Sequence, residues 1–240
     1  MDAPDLSIIV LAYRSEETIA GFVNSLITSL ENEELSWEII LVGNYFQGTG
    51  DKTPEVVTRI AERDSRIKAV VQTKKGMMGW DMKTGLQVAA GKTLAVIDGD
   101  GQMPADDVIR VYHLLKEDGL DLAKTYRRRR GDGVYRRLIS LVYNFIFRLL
   151  FYGLNARDIN SKPKIMTREF FEKIELVSNG WFIDAEIMIL ARRFHAKIGE
   201  IDTVFHDINS RPSFVKPLSI LEFIGNLLWY RLKEFCIRKN

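Results

Sequence analysis

The sequence contains little cysteine, proline or histidine: one Cys, six Pro and three His occur among 240 residues. The single cysteine, Cys236, excludes an intramolecular disulfide framework and is typical of a reducing compartment. No stretch supplies the roughly 20 predominantly apolar residues that a membrane-spanning helix needs. The N-terminal residues also lack the basic and apolar segments of a signal peptide. We therefore expect a cytoplasmic protein.

A large excess of charge of either sign is also missing, because the formal net charge is only +2. Basic residues are instead concentrated in one segment, residues 124–137, where Asp132 is the only acid. Nucleic-acid binding normally requires a broad basic face, so we expect no nucleic-acid partner. A local cluster of this kind is usually a solvated surface, and it also suits a smaller anionic partner.

Apolar, β-branched runs alternate with helical patterns through the first half of the chain, which predicts an α/β fold with a mainly parallel sheet. The predicted strands are 6–12, 37–42, 67–71, 93–97 and 120–123. The predicted helices are 16–30, 54–63, 77–89 and 106–117. After about residue 134 the pattern changes to long helices and few strands. We expect one domain at 1–216 and an amphipathic C-terminal helix at 217–240.

Two carboxylates follow the fourth predicted strand, in the segment Asp98-Gly99-Asp100-Gly101-Gln102. Open α/β sheets bind ligands at the carboxyl edge, where these side chains would lie. Mg²⁺ and Mn²⁺ prefer oxygen ligands and complete their coordination with water and phosphate. The motif therefore predicts a cation holding a diphosphate, and the alternative is an ordinary acidic turn. His206 follows a later apolar run and is as well suited to lie beside a metal or phosphate as to have no role in the site.

Other candidate residues follow the remaining early strands. Tyr13 ends the first strand and Asn44 the second, so both would face the same edge. Lys75 and Gly79 surround the start of the third predicted helix, where a lysine can meet phosphate and a glycine permits close backbone approach. The alternative for this lysine is a solvated surface position.

The order of these motifs resembles the GT-A fold glycosyltransferases of family 2, most closely the dolichol-phosphate mannose synthase group of polyprenyl-phosphate glycosyltransferases. The resemblance extends from about Leu6 to Lys216. It rests on Tyr13, Asp51-Lys52-Thr53, Gly76 with Gly79 and Gly85, the segment from Asp98 to Gln102, Arg136 to Ser140, Asp184-Ala185-Glu186, and Arg211-Pro212-Ser213. Gly43-Asn44 stands where the family has two acidic residues.

The resemblance implies a single Rossmann-like GT-A domain and an inverting, metal-dependent transfer of a hexose. The donor would be a GDP- or UDP-hexose and the acceptor a dolichyl or undecaprenyl phosphate. Its metal ligands would be Asp98, Asp100 and Gln102, with Mg²⁺ or Mn²⁺ as the cofactor. Donor-binding residues would be Tyr13, Asn44, Lys75, Gly79, Asp98, Arg127 and Arg211. Catalytic residues would be Asp100, Arg136, Ser140, Asp184 and Glu186.

The acceptor chemistry remains open from the residues alone. A hydroxyl acceptor requires a general base, for which Asp184 and Glu186 are the candidates. A phosphate acceptor is already ionised and requires positively charged groups instead, which the arginine-rich segment supplies. We expect this segment to be a basic loop. The rival functions are a family 2 transferase acting on a saccharide hydroxyl and a nucleotide-sugar or lipid-binding protein without turnover.

Two helical segments carry more apolar surface than an ordinary exposed helix. In the first, Arg136, Ser140, Asn144 and Arg148 recur every four residues and form one polar stripe. The second covers 218–238 and has basic residues near its end. Each helix is either packed in the core or lies in a bilayer interface. We expect a peripheral protein on the cytoplasmic face of a membrane, with the membrane surface as a partner.

Overall fold

A computed structural model of the chain describes residues 2–130, 134–154, 156–206 and 218–237. At 129–130, 134–140, 218–222 and 235–237 it describes the backbone alone. Within these residues, seven strands form one sheet in the order β3-β2-β1-β4-β6-β5-β7. The strands are β1 (Leu6–Leu11), β2 (Trp37–Val42), β3 (Ile67–Val70), β4 (Thr93–Asp98), β5 (Leu122–Arg130), β6 (Lys164–Thr167) and β7 (Ile198–Phe205).

Helices connect the strands and cover both faces of the sheet. In chain order they are α1 (Ile19–Glu31), α2 (Thr53–Ala61), α3 (Met78–Val88), α4 (Asp107–Glu117), α5 (Val134–Leu150), α6 (Arg168–Lys173), α7 (Ile183–Arg193) and α8 (Leu218–Ile237). One hydrophobic cluster joins the sheet to α1, α2 and α4. A second joins its other face to α3, α5, α7 and α8.

The centre of the sheet is parallel because its strands are apolar on both faces. Every residue of β1 and of β2 is buried, as expected for strands covered by helices on both sides. β1 pairs in parallel with β2 and with β4, and this register places Leu11 beside Asp98. β6 is the exception, since it runs antiparallel between β4 and β5.

The α/β prediction is confirmed, and the first four strands and four helices lie within three residues of their predicted ends. The expectation of a basic loop after residue 123 is wrong for its first part. β5 continues to Arg130 because β7 pairs with it in parallel as far as Phe205. Strand β6 is a further element that the sequence pattern did not predict. Its pairing partners lie far away in the chain, where local propensity carries no information.

None of the described helices is both long enough and apolar enough to cross a membrane.

Candidate active site

The acidic segment lies at the carboxyl edge of the sheet, where β4 ends. Gly99 donates its backbone N–H to the Leu11 carbonyl at 2.8 Å, which fixes the start of the loop to β1. A Cβ at Gly99 would come within 2.8 Å of Ile19 and Val10 side-chain atoms, so any other residue here would force these buried side chains to shift. Asp100 Oδ1 accepts a hydrogen bond from the Gln102 N–H at 3.0 Å. The two carboxylates are thereby presented on a short, tied loop.

The end of β7 reaches the same loop. The His206 N–H donates to the Gln102 carbonyl at 2.9 Å, so the histidine suggested by the sequence is held beside the acidic segment. The following residues, from 207 to 217, lie outside the described part of the chain. Arg211, one of the predicted donor-binding residues, is among them.

Two buried lysines pair with Asp184, and one of them also reaches the acidic segment. Lys162 Nζ lies 3.1 Å from Oδ2 of Asp98 and 3.1 Å from Oδ2 of Asp184. Lys164 Nζ lies 2.5 Å from Oδ1 of Asp184. Lys164 begins β6, and Lys162 lies two residues before it. Because β6 runs antiparallel to β4, it starts at the carboxyl end of β4. Asp98 and Asp184, both predicted site residues, are thus joined through Lys162.

Sequence reasoning missed these lysines because lysine is almost never fully buried without a partner. The available signal was Lys162-Pro163-Lys164 directly before a short apolar run, since residues at i and i+2 share one face of a strand. The carboxylate that makes their burial possible is Asp184, about 20 residues later on helix α7.

The protonation of this group follows from its ion pairs. Burial lowers the pKa of Lys162, but Asp184 and Asp98 outweigh it, so the pKa of Lys162 is raised. Burial raises the pKa of Asp184, but Lys162 and Lys164 outweigh it, so the pKa of Asp184 is lowered. Burial also lowers the pKa of Lys164, to about 8. Asp184 is therefore a buried, ionised and weakly basic carboxylate.

Glu186 holds a neighbouring loop in place. Its carboxylate accepts the N–H groups of Val177 at 3.0 Å and Ser178 at 2.9 Å, together with the Tyr230 hydroxyl. Glu186 is 1% exposed. Like Asp184, it is surrounded by protein partners rather than directed to an opening.

The loop that Glu186 anchors covers the start of helix α3. Carbonyl groups of Asn179 and Gly180 accept the N–H groups of Met77 at 2.7 Å and Gly79 at 2.9 Å. A Cβ at Gly79 would lie 2.4 Å from the Ser178 carbonyl oxygen. The close approach expected at Gly79 is therefore made by this loop, and the Gly79 N–H already has a carbonyl acceptor.

Three of the predicted donor-binding residues, Tyr13, Asn44 and Lys75, lie around a second buried ion pair, formed by Lys74 and Asp81. Lys74 Nζ is 4.2 Å from the centroid of the Tyr13 ring, which is half-buried at the end of β1. Burial lowers the pKa of Lys74 and raises that of Asp81. Lys75, the predicted phosphate ligand, is exposed, with Nζ 5.6 Å from the Trp80 ring. Its neighbour Lys74 is the lysine that reaches Tyr13.

Asn44 lies beneath this ion pair and is completely buried. Its Nδ2 donates to Asp81 at 3.1 Å and to Thr84 at 2.9 Å, and its Oδ1 accepts the Gln72 N–H at 2.9 Å. Both ends of the amide are therefore bound within the protein.

The remaining predicted residues belong to β5 and α5. Arg127 makes a two-pronged contact to Asp158, with Nε at 2.6 Å and Nη2 at 2.9 Å. The backbone of Arg136 and Ser140 is helical, and their side chains lie outside the described atoms. Asn144, from the same polar stripe, is buried and accepts the Ile159 N–H at 3.1 Å. This part of the stripe therefore faces the protein interior.

Residues 7–175, more than half of the chain, match the model of glycosyl transferase family 2. The chain belongs to glycosyl transferase family 2. The family resemblance of the sequence motifs is thereby confirmed, and the protein is a glycosyltransferase.

Curated relatives of this family 2 glycosyltransferase act on lipid phosphates, according to their names. It is 25% identical to an undecaprenyl-phosphate 4-deoxy-4-formamido-L-arabinose transferase of Pectobacterium atrosepticum, over 95% of this chain and 73% of that protein. It is 26% identical to a dolichyl-phosphate beta-glucosyltransferase of Trichomonas vaginalis, over 85% of this chain and 66% of that protein.

Solved structures of low sequence identity share the fold. A mannosyl-3-phosphoglycerate synthase of Rubrobacter xylanophilus has a TM-score of 0.72 at 18% identity, over 96% of this chain and 74% of that one. A glucosyl-3-phosphoglycerate synthase of Mycobacterium tuberculosis, crystallised with Mn²⁺ and UDP, has a TM-score of 0.68 at 18% identity, over 95% and 80%. Both neighbours have the GT-A fold, so the predicted fold is confirmed.

The acidic segment of this family 2 glycosyltransferase has the donor chemistry of a divalent-cation site. Asp98 and Asp100 offer carboxylate oxygens and Gln102 an amide oxygen, which suits Mg²⁺ or Mn²⁺. Among the described residues, no group of three or more His, Cys, Asp or Glu side chains could enclose a metal ion. Such a donor set fits a cation that takes its remaining ligands from water and a diphosphate.

Proposed function

We propose that this glycosyltransferase moves a hexose from UDP or GDP to the phosphate of a polyprenyl phosphate, with inversion at the sugar. The observation that carries the proposal is the environment of Asp184 and Glu186. Both candidates for a general base are about 1% exposed and bound by protein partners. An acceptor hydroxyl would need such a base, whereas an acceptor phosphate is already ionised. The names of the curated relatives support the same acceptor class.

In this mechanism an acceptor phosphate oxygen attacks the anomeric carbon from the side opposite the diphosphate. The new carbon–oxygen bond forms as the bond to the diphosphate breaks, and the electron pair leaves with the diphosphate. No proton needs to be removed. Asp98, Asp100 and Gln102 would hold the divalent cation, which neutralises charge on the leaving diphosphate when bound. The nucleoside would bind beside Tyr13 and Lys74, which lie together at this edge of the sheet.

The acceptor's lipid requires an apolar approach, which α5 and α8 provide. Large apolar side chains on these helices are exposed, including Phe145 (66%), Leu149 (71%), Trp229 (64%) and Leu232 (61%). Buried Leu227 fixes α8 to the core, so the helix can be packed and still present an apolar side. We propose that residues 1–216 carry the transferase site and 217–240 the membrane-associated helix. The protein would then act at the cytoplasmic face of a membrane.

The test is a panel of radiolabelled nucleotide sugars offered with polyprenyl phosphate and with oligosaccharides. We expect labelled product in the lipid phase, and only when a divalent cation is present. Label in the aqueous saccharide would instead establish transfer to a hydroxyl. Donor binding without any labelled product would indicate a protein that binds but does not turn over.

A further inference from the structure

Lys162 places a positive charge directly behind the acidic pair. Its side chain is 3% exposed, and its ammonium lies 3.1 Å from both Asp98 and Asp184. A buried ammonium requires charged hydrogen-bonding partners, and these two carboxylates supply them. Asp98 differs from Asp184 because 36% of its side chain is exposed. Asp98 therefore belongs both to the buried ion pair and to the open edge.

The donor site takes up two partners of opposite charge, a divalent cation and a diphosphate. An ammonium this close to Asp98 repels a cation at that carboxylate and attracts a diphosphate. Both effects are strengthened because the ammonium is held away from water, where salt screens little. An acidic pair without the lysine would bind the cation more readily and the diphosphate less readily.

We propose that Lys162 biases the donor site against a divalent cation alone and toward the diphosphate. Its fixed charge weakens binding of the divalent cation alone and strengthens binding of the diphosphate alone, so the cation binds mainly when the nucleotide is present. The inference rests on the proposed donor site at Asp98 and Asp100. Lys162 acts through Asp98 and is a positioning residue rather than a catalytic one.

Lys164 offers a matched control. It is equally buried and pairs with the same Asp184, at 2.5 Å, but the structure shows no ion pair between Lys164 and Asp98 among the described residues. Substituting Lys164 removes one buried positive charge from the same cluster. Any effect specific to the acidic pair should therefore separate the two lysines.

The experiment uses the full chain with Lys162→Gln, which keeps hydrogen-bond donors and removes the charge, and with Lys164→Gln. Mn²⁺ binding without nucleotide is measured from the paramagnetic resonance signal of free Mn²⁺. Binding of UDP and of GDP in EDTA is measured by calorimetry. For Lys162→Gln we expect Mn²⁺ affinity to rise about tenfold and nucleotide affinity to fall about tenfold. For Lys164→Gln we expect changes below about threefold.

The opposite signs distinguish a charge effect from damage, because a distorted site would bind both ligands more weakly. Weaker binding of both, no change in either, or equal changes in the two variants would overturn the inference. If Lys162→Gln shows no cooperative thermal unfolding, Lys162→Met is measured by the same criteria. If the unmodified protein binds neither Mn²⁺ nor nucleotide, separately or together, the proposed donor site itself fails and the inference with it.

Discussion

Asp98 and Asp100 are two residues apart but have different surroundings. Asp98 is bonded from behind by the Lys162 ammonium, whereas Asp100 turns one oxygen onto the Gln102 N–H in its own loop. The first carboxylate is therefore held by a buried ammonium, and one oxygen of the second is held by its own loop.

Replacing either carboxylate by an amide tests their role in transfer. Asp98→Asn and Asp100→Asn each remove a negative charge from the proposed cation site, so we expect the rate at saturating donor to fall at least about 100-fold. Initial rates with labelled donor measure the effect. The matched control is Asp118→Asn, an exposed position at the end of α4, which should retain the full rate. Unchanged rates in both site variants would remove the cation-site interpretation.

Glu38 is a residue at the opposite edge of the sheet whose charge stabilises the fold. It accepts hydrogen bonds from Ser7 Oγ and the Ala90 N–H, both at 2.6 Å, and from Lys68 Nζ at 2.7 Å. Burial alone would raise the pKa of Glu38, but these donors outweigh it and the pKa lies below its ordinary value of 4.5. Its contribution to stability is thus present above pH 4.5 and is lost as the pH falls through the lowered pKa.

We expect Glu38→Gln to lower the free energy of unfolding by about 2 kcal/mol at pH 7. The difference from the unmodified protein should shrink as the pH falls below 4.5, since only the carboxylate can be protonated there. Urea unfolding at pH 7 and at two acidic values measures this. A difference that stays constant with pH would show that the charge of Glu38 does not stabilise the fold.

The start of helix α3 is covered by the loop that Glu186 anchors. Gly79→Ala would place a Cβ 2.4 Å from the Ser178 carbonyl oxygen and 2.9 Å from that of Gly180. Because both obstacles are backbone atoms, we expect a loss of about 2 kcal/mol in the free energy of unfolding. The control, Gly21→Ala on α1, meets nothing within 4 Å and should be neutral or gain up to about 1 kcal/mol. Urea unfolding of the two variants decides between them, and equal stabilities would contradict this account of Gly79.

The exposed apolar side chains of helices α5 and α8 allow a test of membrane binding. We expect Leu149→Ser combined with Trp229→Ser to reduce sedimentation with anionic liposomes, because both side chains are more than 60% exposed and apolar. The control is Val88→Ser, a single apolar-to-polar change at an exposed position on α3, which should bind as before. Full liposome binding by the double variant would show that Leu149 and Trp229 do not contact the membrane.

For the whole molecule, the first half of the fold is predictable because each of its strands is buried by its own neighbouring helices. Leu6–Leu11 and Trp37–Val42 are apolar for that reason except at Ser7 and Glu38, which bond to each other. The second half depends on distant pairing. Composition predicts exposed positions for the arginines of β5 and the lysines around β6. Arg127 and Lys164 are instead paired with Asp158 and Asp184, which lie far from them in the chain.

The site was predictable to the same extent. Motif order predicts the acidic pair, Tyr13 and Asp184 as site residues, and the structure joins Asp98 to Asp184 through Lys162. The link between them, Lys162, was not found, because an ion pair 64 residues apart in the chain leaves no local pattern. Lys75 is exposed, whereas its neighbour Lys74 is buried against Asp81 and Tyr13; a shift of one residue along the chain decides which of the two lysines is buried.

Ligand binding should be visible in the stability of the whole molecule. A nucleotide at 100 times its dissociation constant adds about 2.7 kcal/mol, which for a chain of this length raises the Tm by roughly 5 to 10 °C. We expect UDP or GDP with Mn²⁺ to give a larger increase than the nucleotide or Mn²⁺ alone. Thermal unfolding with each combination measures this. The absence of any increase with either nucleotide would contradict the donor site.

The position of β6 between β4 and β5 also has a consequence for the order in which the protein forms. During synthesis, β1 to β4 emerge first and can pair among themselves, since they are neighbours in the sheet. β5 emerges next but contacts the growing sheet only through β6, which is made about 35 residues later. A nascent chain at this stage carries Asp98 and Asp100 without the lysine behind them. Asp98 is thus made 64 residues before the lysine that later pairs with it.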